Sequence, residues 1–470
     1  MSAPATTEKK YLKWYQKLAY GSGDLASNCS YGLVSSFVLL YLTGTLGLDS
    51  AIIGSLMLAS KVLDGISDVI FGTLIDRTHS KLGKARPWML FGQVGVSLCL
   101  FLLFAIPAGS TTMQYIYFFI VYTALNAVFY TANGIAYSSL VALITKNNNE
   151  RVQLGSFRFM FAVVTNIFMG FAVTGMVEKF GGGAAGWRTT ALIFAIVGLV
   201  VNTISCLAVK ELPEEELSDN TSEAAEEGKA DAKEKKHGFA ETAKILIHNK
   251  YYLMILAIYI VYYIMSNLTT GAGVFCATYY WGDGSLLGQF SMMKMFPVII
   301  ALAIAPVLIK KTGSMQKVNF WGYAISSVLG IPMIYFAMQK NISMFLLFMF
   351  IKGIFAGTLS GSLNALIAEA SGYTTRTTGV HMDGMMYSCS SLGVKVGGGI
   401  GTAAVGWLLK LGGFVGTATV QSESAIRMIF NLYITFPFVI GIIITVLLAF
   451  LDVEKANKKW DAEHQKEAQA

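Results

Sequence analysis

The amino-acid sequence predicts an all-α polytopic membrane protein, with twelve transmembrane helices arranged in two six-helix bundles. The first observation is composition: 54% of the 470 residues are hydrophobic and 13% are charged, whereas soluble domains carry about 25% charged residues. The second is that apolar runs recur along the chain at about 20 residues, the length needed to cross a bilayer. The third is a polar stretch near the middle, which separates two equal sets of runs.

The apolar runs give the expected boundaries. The first six spans are predicted at about 18–45, 52–76, 87–107, 113–144, 154–178 and 187–209. The second six are predicted at about 251–281, 286–309, 317–338, 343–369, 378–411 and 425–451. The expected domains are an N-terminal tail (1–17), a first bundle (18–209), a linker (210–249), a second bundle (250–452) and a C-terminal tail (453–470).

Lysine and arginine indicate the orientation, because they are concentrated in alternate loops. The N-terminal tail, the loop from Arg77 to Arg86 and the C-terminal tail are basic, whereas the loops of the opposite side carry few such residues. Positive loops face the cytoplasm, so both termini and the linker are predicted to be cytoplasmic. The net charge of +7 comes without any aromatic and basic binding motif, and we expect no nucleic-acid partner.

Three further features concern the organisation of the chain. Residues 211–238 are acidic and then mixed, with no apolar period, which predicts a disordered linker.

The segment Leu74–Ser80 after the second span resembles Leu308–Ser314 after the eighth, as two parallel halves would require. The cysteines lie in apolar segments without paired spacing, so we expect packing residues and no disulfides. They are Cys29, Cys99, Cys206, Cys276 and Cys389.

The second span carries charges where the bilayer disfavours them. Lys61, Asp64 and Asp68 are spaced by three and four residues, so their side chains share one helix face. Intramembrane charges usually face the bundle interior or an ion path. A structural alternative is a permanent Lys61–Asp64 salt bridge with Asp68 protonated. A basic loop follows directly, beginning at Asp76 and Arg77.

Other polar residues of the predicted spans suit the binding of a polyhydroxylated solute. Their hydroxyls, amides, aromatic faces and few charges are the groups such a site requires, although uncharged groups alone also join helices. The predicted substrate-binding residues are Asp24, Asn28, Tyr31, Tyr130, Asn133, Tyr137, Arg158 and Lys395. Lys294 and Lys352 are also intramembrane; the sequence gives them no role beyond snorkelling or pairing between helices.

Enzyme motifs are absent or out of context. Gly21-Ser22-Gly23-Asp24 matches the GxGD motif of intramembrane aspartyl proteases, but no Tyr-Asp dipeptide supplies the second aspartate that such chemistry needs. The sequence contains neither a zinc-type H-E-x-x-H nor a Walker loop. We therefore expect no enzymatic activity and no cofactor.

The loop after the second span resembles that of the glycoside–pentoside–hexuronide:cation symporters, a branch of the major facilitator superfamily. The strongest match is Asp68-x3-Gly72-x3-Asp76-Arg77, followed by Gly83-Lys84-x-Arg86-Pro87. Tyr20-Gly21-x-Gly23-Asp24 resembles the start of the family's glucuronide and pentoside members. The resemblance implies the major facilitator fold and symport of a sugar or glycoside with Na⁺ or H⁺ by alternating access.

The resemblance also implies roles for particular residues. A cation site is expected at Asp64, Ser67, Asp68 and Thr131, with Na⁺ as a possible ion at Asp64 and Asp68. Coupling or gating roles are expected for Lys61, Asp76, Arg77 and Arg86. The expected partners are a sugar, a monovalent cation and the lipid bilayer, for a monomer in the cytoplasmic membrane. The alternatives left open are a lipid or lysolipid carrier of the same fold and a membrane sensor.

Overall fold

The computed structural model describes residues 9–213, 245–379, 383–418 and 420–467. Within these ranges the chain is helical and contains no β-strand. The first half contains α1 (Trp14–Thr45), α2 (Ser50–Asp76), α3 (Arg86–Leu103), α4 (Thr111–Ile144), α5 (Asn148–Lys179) and α6 (Gly183–Leu207). The second half contains α7 (Lys250–Tyr280), α8 (Leu286–Thr312), α9 (Met315–Met338), α10 (Ile342–Thr378) and α11 (Met385–Leu411).

The last span, α12, runs through Glu423–Phe430, Asn431–Thr435 and Phe436–Phe450, and a polar helix, α13 (Val453–Glu467), follows it. In the described residues, eleven helices are long and apolar enough to cross a membrane. The remaining helix of the predicted twelve is α2, which has 27 residues but carries Lys61, Asp64 and Asp68. The predicted fold class, an all-α polytopic membrane protein, is confirmed.

The helices begin where short polar side chains can accept the first free backbone N–H groups. Asp49 caps α2, Ser110 caps α4 and Asn147 caps α5 in this way. In the second half, Asn249, Ser314 and Asn341 cap α7, α9 and α10. These caps fix the register of each helix, and with it the face on which each polar residue of the span lies.

Several spans are interrupted by π-helical turns, which add a residue to a turn and shift the side chains that follow. They are Tyr41–Thr45, Ala124–Tyr130, Cys276–Tyr280, Gly393–Gly397 and Asn431–Thr435. Two of them contain predicted site residues, Tyr130 and Lys395. The sequence did not indicate these interruptions.

The chain folds into two compact units, one containing α1–α6 and the other containing α7, most of α8, and α9–α13. The core of the first unit includes Tyr20, Met89 and Leu140. The core of the second includes Tyr259 and Leu363. All five cysteines are buried and unpaired, as predicted. The expected boundaries of the tails and the linker stay predictions, and most of the linker lies outside the described residues.

The outward faces of the spans are apolar, as contact with lipid chains requires. On α2 the most exposed apolar side chains are Val62, Ile66 and Val69, whereas Asp64 and Asp68 are only partly exposed. The charged face of α2 therefore points into the first unit and away from its apolar surface, as the cost of an intramembrane charge demands.

Glu211, the first residue of the segment 211–238, contacts the start of α3. The Glu211 carboxylate accepts hydrogen bonds from the backbone N–H groups of Lys84, Ala85 and Arg86, at 2.7, 2.9 and 3.1 Å. These are free donors at the start of α3, where the helix dipole also favours a negative charge. Gly83 precedes them with φ +106°, and a Cβ there would lie 2.3 Å from the Glu211 carboxyl carbon.

Candidate functional site

The charged face of α2 contacts α4 through Asp64. The Thr131 hydroxyl lies 2.6 Å from Asp64 Oδ1, and it also lies 2.9 Å from the backbone oxygen of Asn126. Since a hydroxyl has one hydrogen, Thr131 can donate to only one of the two at a time. The carbonyl of Asn126 belongs to the π-helical turn Ala124–Tyr130 that precedes Thr131. Thr131 thus joins the carboxylate of α2 to the irregular part of α4.

Lys61 lies beside the same carboxylate at a longer distance. Its Nζ is 3.6 Å from Asp64 Oδ2, and the two side chains are 17% and 13% exposed. A charge-assisted hydrogen bond is usually 2.7–2.9 Å long, so this is a loose ion pair. Lys61 Nζ also lies 5.6 Å from the ring centroid of Tyr31 in α1, which is within cation–π range.

Ser67 and Asp68 complete the predicted cation-binding residues. The Ser67 hydroxyl donates to the backbone oxygen of Asp64 at 2.9 Å. Asp68 is half-buried one turn beyond Asp64. The donors at this face are carboxylate, hydroxyl and carbonyl oxygens, which suit a hard cation. Within the described ranges no group of three or more His, Cys, Asp or Glu side chains could hold a metal ion.

A second polar group joins α1 to α5. Arg158 Nε lies 2.5 Å from Asp24 Oδ2, with side chains 25% and 18% exposed. The guanidinium carbon of Arg158 lies 4.2 Å from the ring centroid of Tyr137. The Tyr137 hydroxyl donates to the backbone oxygen of Tyr20 at 2.8 Å, which fixes the ring. The ion pair is therefore held by both charge and ring contact, and its partial exposure leaves acceptor oxygens and donor N–H groups for a ligand.

Asn28 lies one turn beyond Asp24 and has a partner that sequence reasoning missed. Asn28 Nδ2 donates to the backbone oxygen of Asp24 at 2.7 Å, and Asn166 Nδ2 donates to Asn28 Oδ1 at 2.9 Å. Asn166 lies two steps of four residues beyond Arg158 on α5. That spacing was a usable signal, because residues four apart lie on neighbouring parts of one helix face.

Tyr31 and Tyr130 extend the charged face of α2 with two aromatic rings. Their rings are stacked with centroids 5.4 Å apart, and Tyr31 is also the ring that faces Lys61. Stacked rings of this kind present a flat apolar surface edged by hydroxyls. One continuous chain of contacts thus runs from Asp64 through Lys61 and Tyr31 to Tyr130.

Asn133 does not join this group. It is 4% exposed, and its Nδ2 donates to Gln93 Oε1 of α3 at 2.6 Å, with Gln93 itself 1% exposed. The structure gives Asn133 a packing contact between α3 and α4, and its contact with a substrate stays a prediction. The packing contact forms because Asn133 lies on the α3-facing side of α4.

The residues predicted to act as a gate differ in their surroundings. Arg86 is buried, with Nε donating to the backbone oxygen of Cys206 at 3.2 Å. Asp76 and Arg77 are exposed at the end of α2, and neither forms an ion pair with another described residue. Lys395 belongs to the second unit, half-buried in the π-helical turn Gly393–Gly397 of α11.

Comparisons with known proteins agree with this architecture. The family model for MFS/sugar transport proteins matches residues 19–455. The isoprimeverose transporter of Lactiplantibacillus pentosus is 27% identical, covering 100% of this chain and 96% of that protein. A putative glycoside/cation symporter of Escherichia coli (strain K12) is 23% identical, covering 95% of this chain and 93% of that protein.

Among solved structures, a D-xylose–proton symporter superposes with a TM-score of 0.65 at 13% identity, covering 95% of this chain and 98% of that one. At that identity the likeness concerns the fold alone. The family model, in contrast, spans nearly the whole chain and confirms the expected family. The protein belongs to the MFS/sugar transport protein family.

Proposed function

We propose that the protein transports a sugar or glycoside across the cytoplasmic membrane in symport with a monovalent cation, by alternating access. The observation that carries the proposal is the chain of contacts from Asp64 to Tyr130, which joins an oxygen-rich charged face to a pair of stacked aromatic rings. The names of the transporter of Lactiplantibacillus pentosus and of the Escherichia coli symporter support a saccharide and a cation.

In this proposal the cation binds to the charged face of α2. Two carboxylates one turn apart in a poorly solvated place cannot both stay ionised at low cost unless a cation accompanies them. Na⁺ or a proton meets that need when the site is loaded, with Asp64, Asp68 and the hydroxyl of Thr131 as the oxygen donors. Lys61, whose contact with Asp64 is loose at 3.6 Å, neutralises the face when the ion leaves.

The sugar binds to the Asp24–Arg158 pair, the Asn28–Asn166 pair and the ring of Tyr31. Carboxylate and guanidinium groups accept from and donate to sugar hydroxyls, and an aromatic ring packs against the apolar face of a pyranose. Because Tyr31 also contacts Lys61, a movement of Lys61 on cation binding changes the surroundings of the sugar. By linkage, the bound sugar must raise the cation affinity by the same factor.

The basic loop after α2 belongs to the proposed alternating-access cycle. Asp76 and Arg77 are exposed in this conformation, so they are available to pair in the state in which the cytoplasmic side is closed. Asp76→Asn is then expected to shift the population towards the inward-open state. Single cysteines on each side, labelled with a membrane-impermeant reagent, measure this shift; equal labelling in mutant and parent contradicts the gate.

Uptake into proteoliposomes tests the proposed function directly. The purified protein is reconstituted, and a panel of labelled glycosides is offered with an inward Na⁺ gradient, an inward proton gradient or no gradient. We expect at least one glycoside to accumulate above its external concentration under one gradient and only to equilibrate without it. Accumulation of no glycoside under either gradient contradicts symport, and protein-free liposomes give the leak that is subtracted.

A further inference from the structure

A cavity of about 190 Å³ lies wholly within the second unit, between α7, α8, α9, α10 and α12. It is larger than the cavity of about 150 Å³ that holds a benzene molecule in another protein, so it has room for a small solute or for part of a larger one. Most of its wall is apolar, but Lys294 of α8 and Lys352 of α10 both line it. The Asp64–Tyr130 contact chain belongs to the other unit, so this cavity is a separate feature.

Among the described residues, Lys294 contacts neutral polar groups only. Its Nζ lies 3.3 Å from Thr269 Oγ1 and 3.2 Å from Thr270 Oγ1. Both hydroxyls already donate to backbone oxygens of α7, among them that of Ser266, so they can only accept from the lysine. Two neutral acceptors orient the ammonium group without neutralising it.

The ammonium group of Lys352 has fewer polar contacts than that of Lys294. In the part of the chain that the structure describes, its ammonium group forms neither a hydrogen bond nor an ion pair, although it lies ten residues into a transmembrane helix. Among the residues that the structure describes, no Asp or Glu side chain lines the cavity. A charged group inside the membrane is usually paired, so two lysines around one space without a carboxylate leave a surplus of positive charge there.

Tyr323 of α9 points to the same conclusion independently of the lysines. Its side chain is 2% exposed, and its hydroxyl is buried without a hydrogen-bond partner in the described residues. It lines the same cavity. The neighbouring hydroxyls of Tyr262 and Ser360 satisfy each other at 2.7 Å. A buried hydroxyl without a partner is rare and costly, and a ligand oxygen within the cavity would supply the missing acceptor.

We propose that this cavity is an anion site, which binds a single carboxylate or similar oxyanion through Lys294, Lys352 and the hydroxyl of Tyr323. An oxyanion has several lone pairs, so it can accept from both ammonium groups and from the hydroxyl at once. The bound oxyanion neutralises the surplus positive charge and also accepts a hydrogen bond from the hydroxyl of Tyr323. The anion is either the acid group of an organic solute or a free inorganic anion, since both offer the same chemistry.

Ligand-dependent thermal unfolding of the full-length protein in detergent tests the site. The probes are sodium gluconate, sodium chloride and sodium sulfate, compared at equal sodium concentration, and sorbitol, the uncharged counterpart of gluconate, added to the sodium chloride sample. We expect gluconate to raise the melting temperature and sorbitol to have no effect. An equal rise with sulfate or chloride identifies the source as a free inorganic anion, whereas a rise with gluconate alone identifies an organic acid.

Variants assign the effect to the cavity. Lys352→Met and Lys294→Met keep the unbranched shape and most of the length of the side chain and remove its charge, and each should weaken anion binding at least tenfold. Lys310→Met removes one charge from the exposed end of the same helix as Lys294 and should bind like the parent. Without an anion, Lys352→Met should melt at a higher temperature than the parent, because an unpaired charge is gone. The absence of any anion effect in the parent overturns the proposal, as does an undiminished effect in Lys352→Met.

Discussion

The hydroxyl of Thr131 lies 2.6 Å from Asp64 Oδ1, and this contact joins the charged face of α2 to the π-helical part of α4. It places an oxygen donor from one helix beside a carboxylate of another, where a cation can bind to both. Because Thr131 can turn instead to the carbonyl of Asn126 at 2.9 Å, its lone pairs can be offered to an ion without breaking the packing of α4.

Thr131→Val should lower cation affinity, because the isosteric side chain removes one oxygen from the cation site. The expected loss is about 1–1.5 kcal/mol, the size of one hydrogen-bonding group, or about a tenfold change in the dissociation constant. Sugar affinity measured as a function of Na⁺ concentration and of pH gives the change in cation affinity. Thr131→Ser keeps the hydroxyl and should behave like the parent; equal losses in both variants would point to packing instead of an oxygen ligand.

Asp68→Asn should separate coupling from sugar binding. The amide cannot bind or release a proton and is a poorer cation ligand, so accumulation against a gradient should be abolished while sugar exchange across the membrane continues. Counterflow and gradient-driven uptake in the same proteoliposomes provide the comparison. A variant that still concentrates sugar would show that the coupling site lies elsewhere.

Asn28→Ala and Asn166→Ala should each weaken sugar binding by about 1–2 kcal/mol, because both remove part of one hydrogen-bonded pair. Direct binding of the transported glycoside to the detergent-solubilised variants gives the affinities. Asn133→Ala is the matched control: it leaves Gln93 buried without its partner and should cost about 1–3 kcal/mol of stability while preserving sugar affinity. Normal sugar affinity in both the Asn28 and Asn166 variants would contradict the placement.

Glu211→Ala should destabilise the first unit, because three N–H groups at the start of α3 lose their acceptor. Loss of a helix-capping side chain costs about 0.5–2 kcal/mol. Glu454 accepts from the backbone N–H of Gln316 at the start of α9, so Glu454→Ala should have a similar effect in the second unit. Chemical denaturation monitored by fluorescence measures both, and unchanged stability in Glu211→Ala would argue against the cap.

Gly83→Ala should reduce stability through the same contact. The new Cβ would lie 2.3 Å from the Glu211 carboxyl carbon, and φ +106° is unfavourable for any residue with a side chain. A double variant with Gly83→Ala and Glu211→Ala tests whether the loss of stability comes from the clash with Glu211. If the clash dominates, the double variant should be less destabilised than the sum of the single variants.

The spans and the polar face of α2 were determined by the sequence alone. In a bilayer the backbone has no water to bind, so an apolar run must form a helix that satisfies its own hydrogen bonds. The spacing of Lys61, Asp64 and Asp68 then places them on one face, because helical periodicity is a local property. The same locality explains why the boundaries of most spans agree with the structure to within a few residues.

Partners on other helices were decided by the tertiary structure. Asn28 and Asn133 have the same side chain in neighbouring spans, yet one meets Asn166 at the polar group and the other is buried against Gln93. The difference depends on how each helix is rotated about its axis, and the π-helical turn in α4 changes that rotation without a sequence signal. Lys294 and Lys352 were only isolated charges in the sequence; packing of five helices is what places both around one cavity with Tyr323.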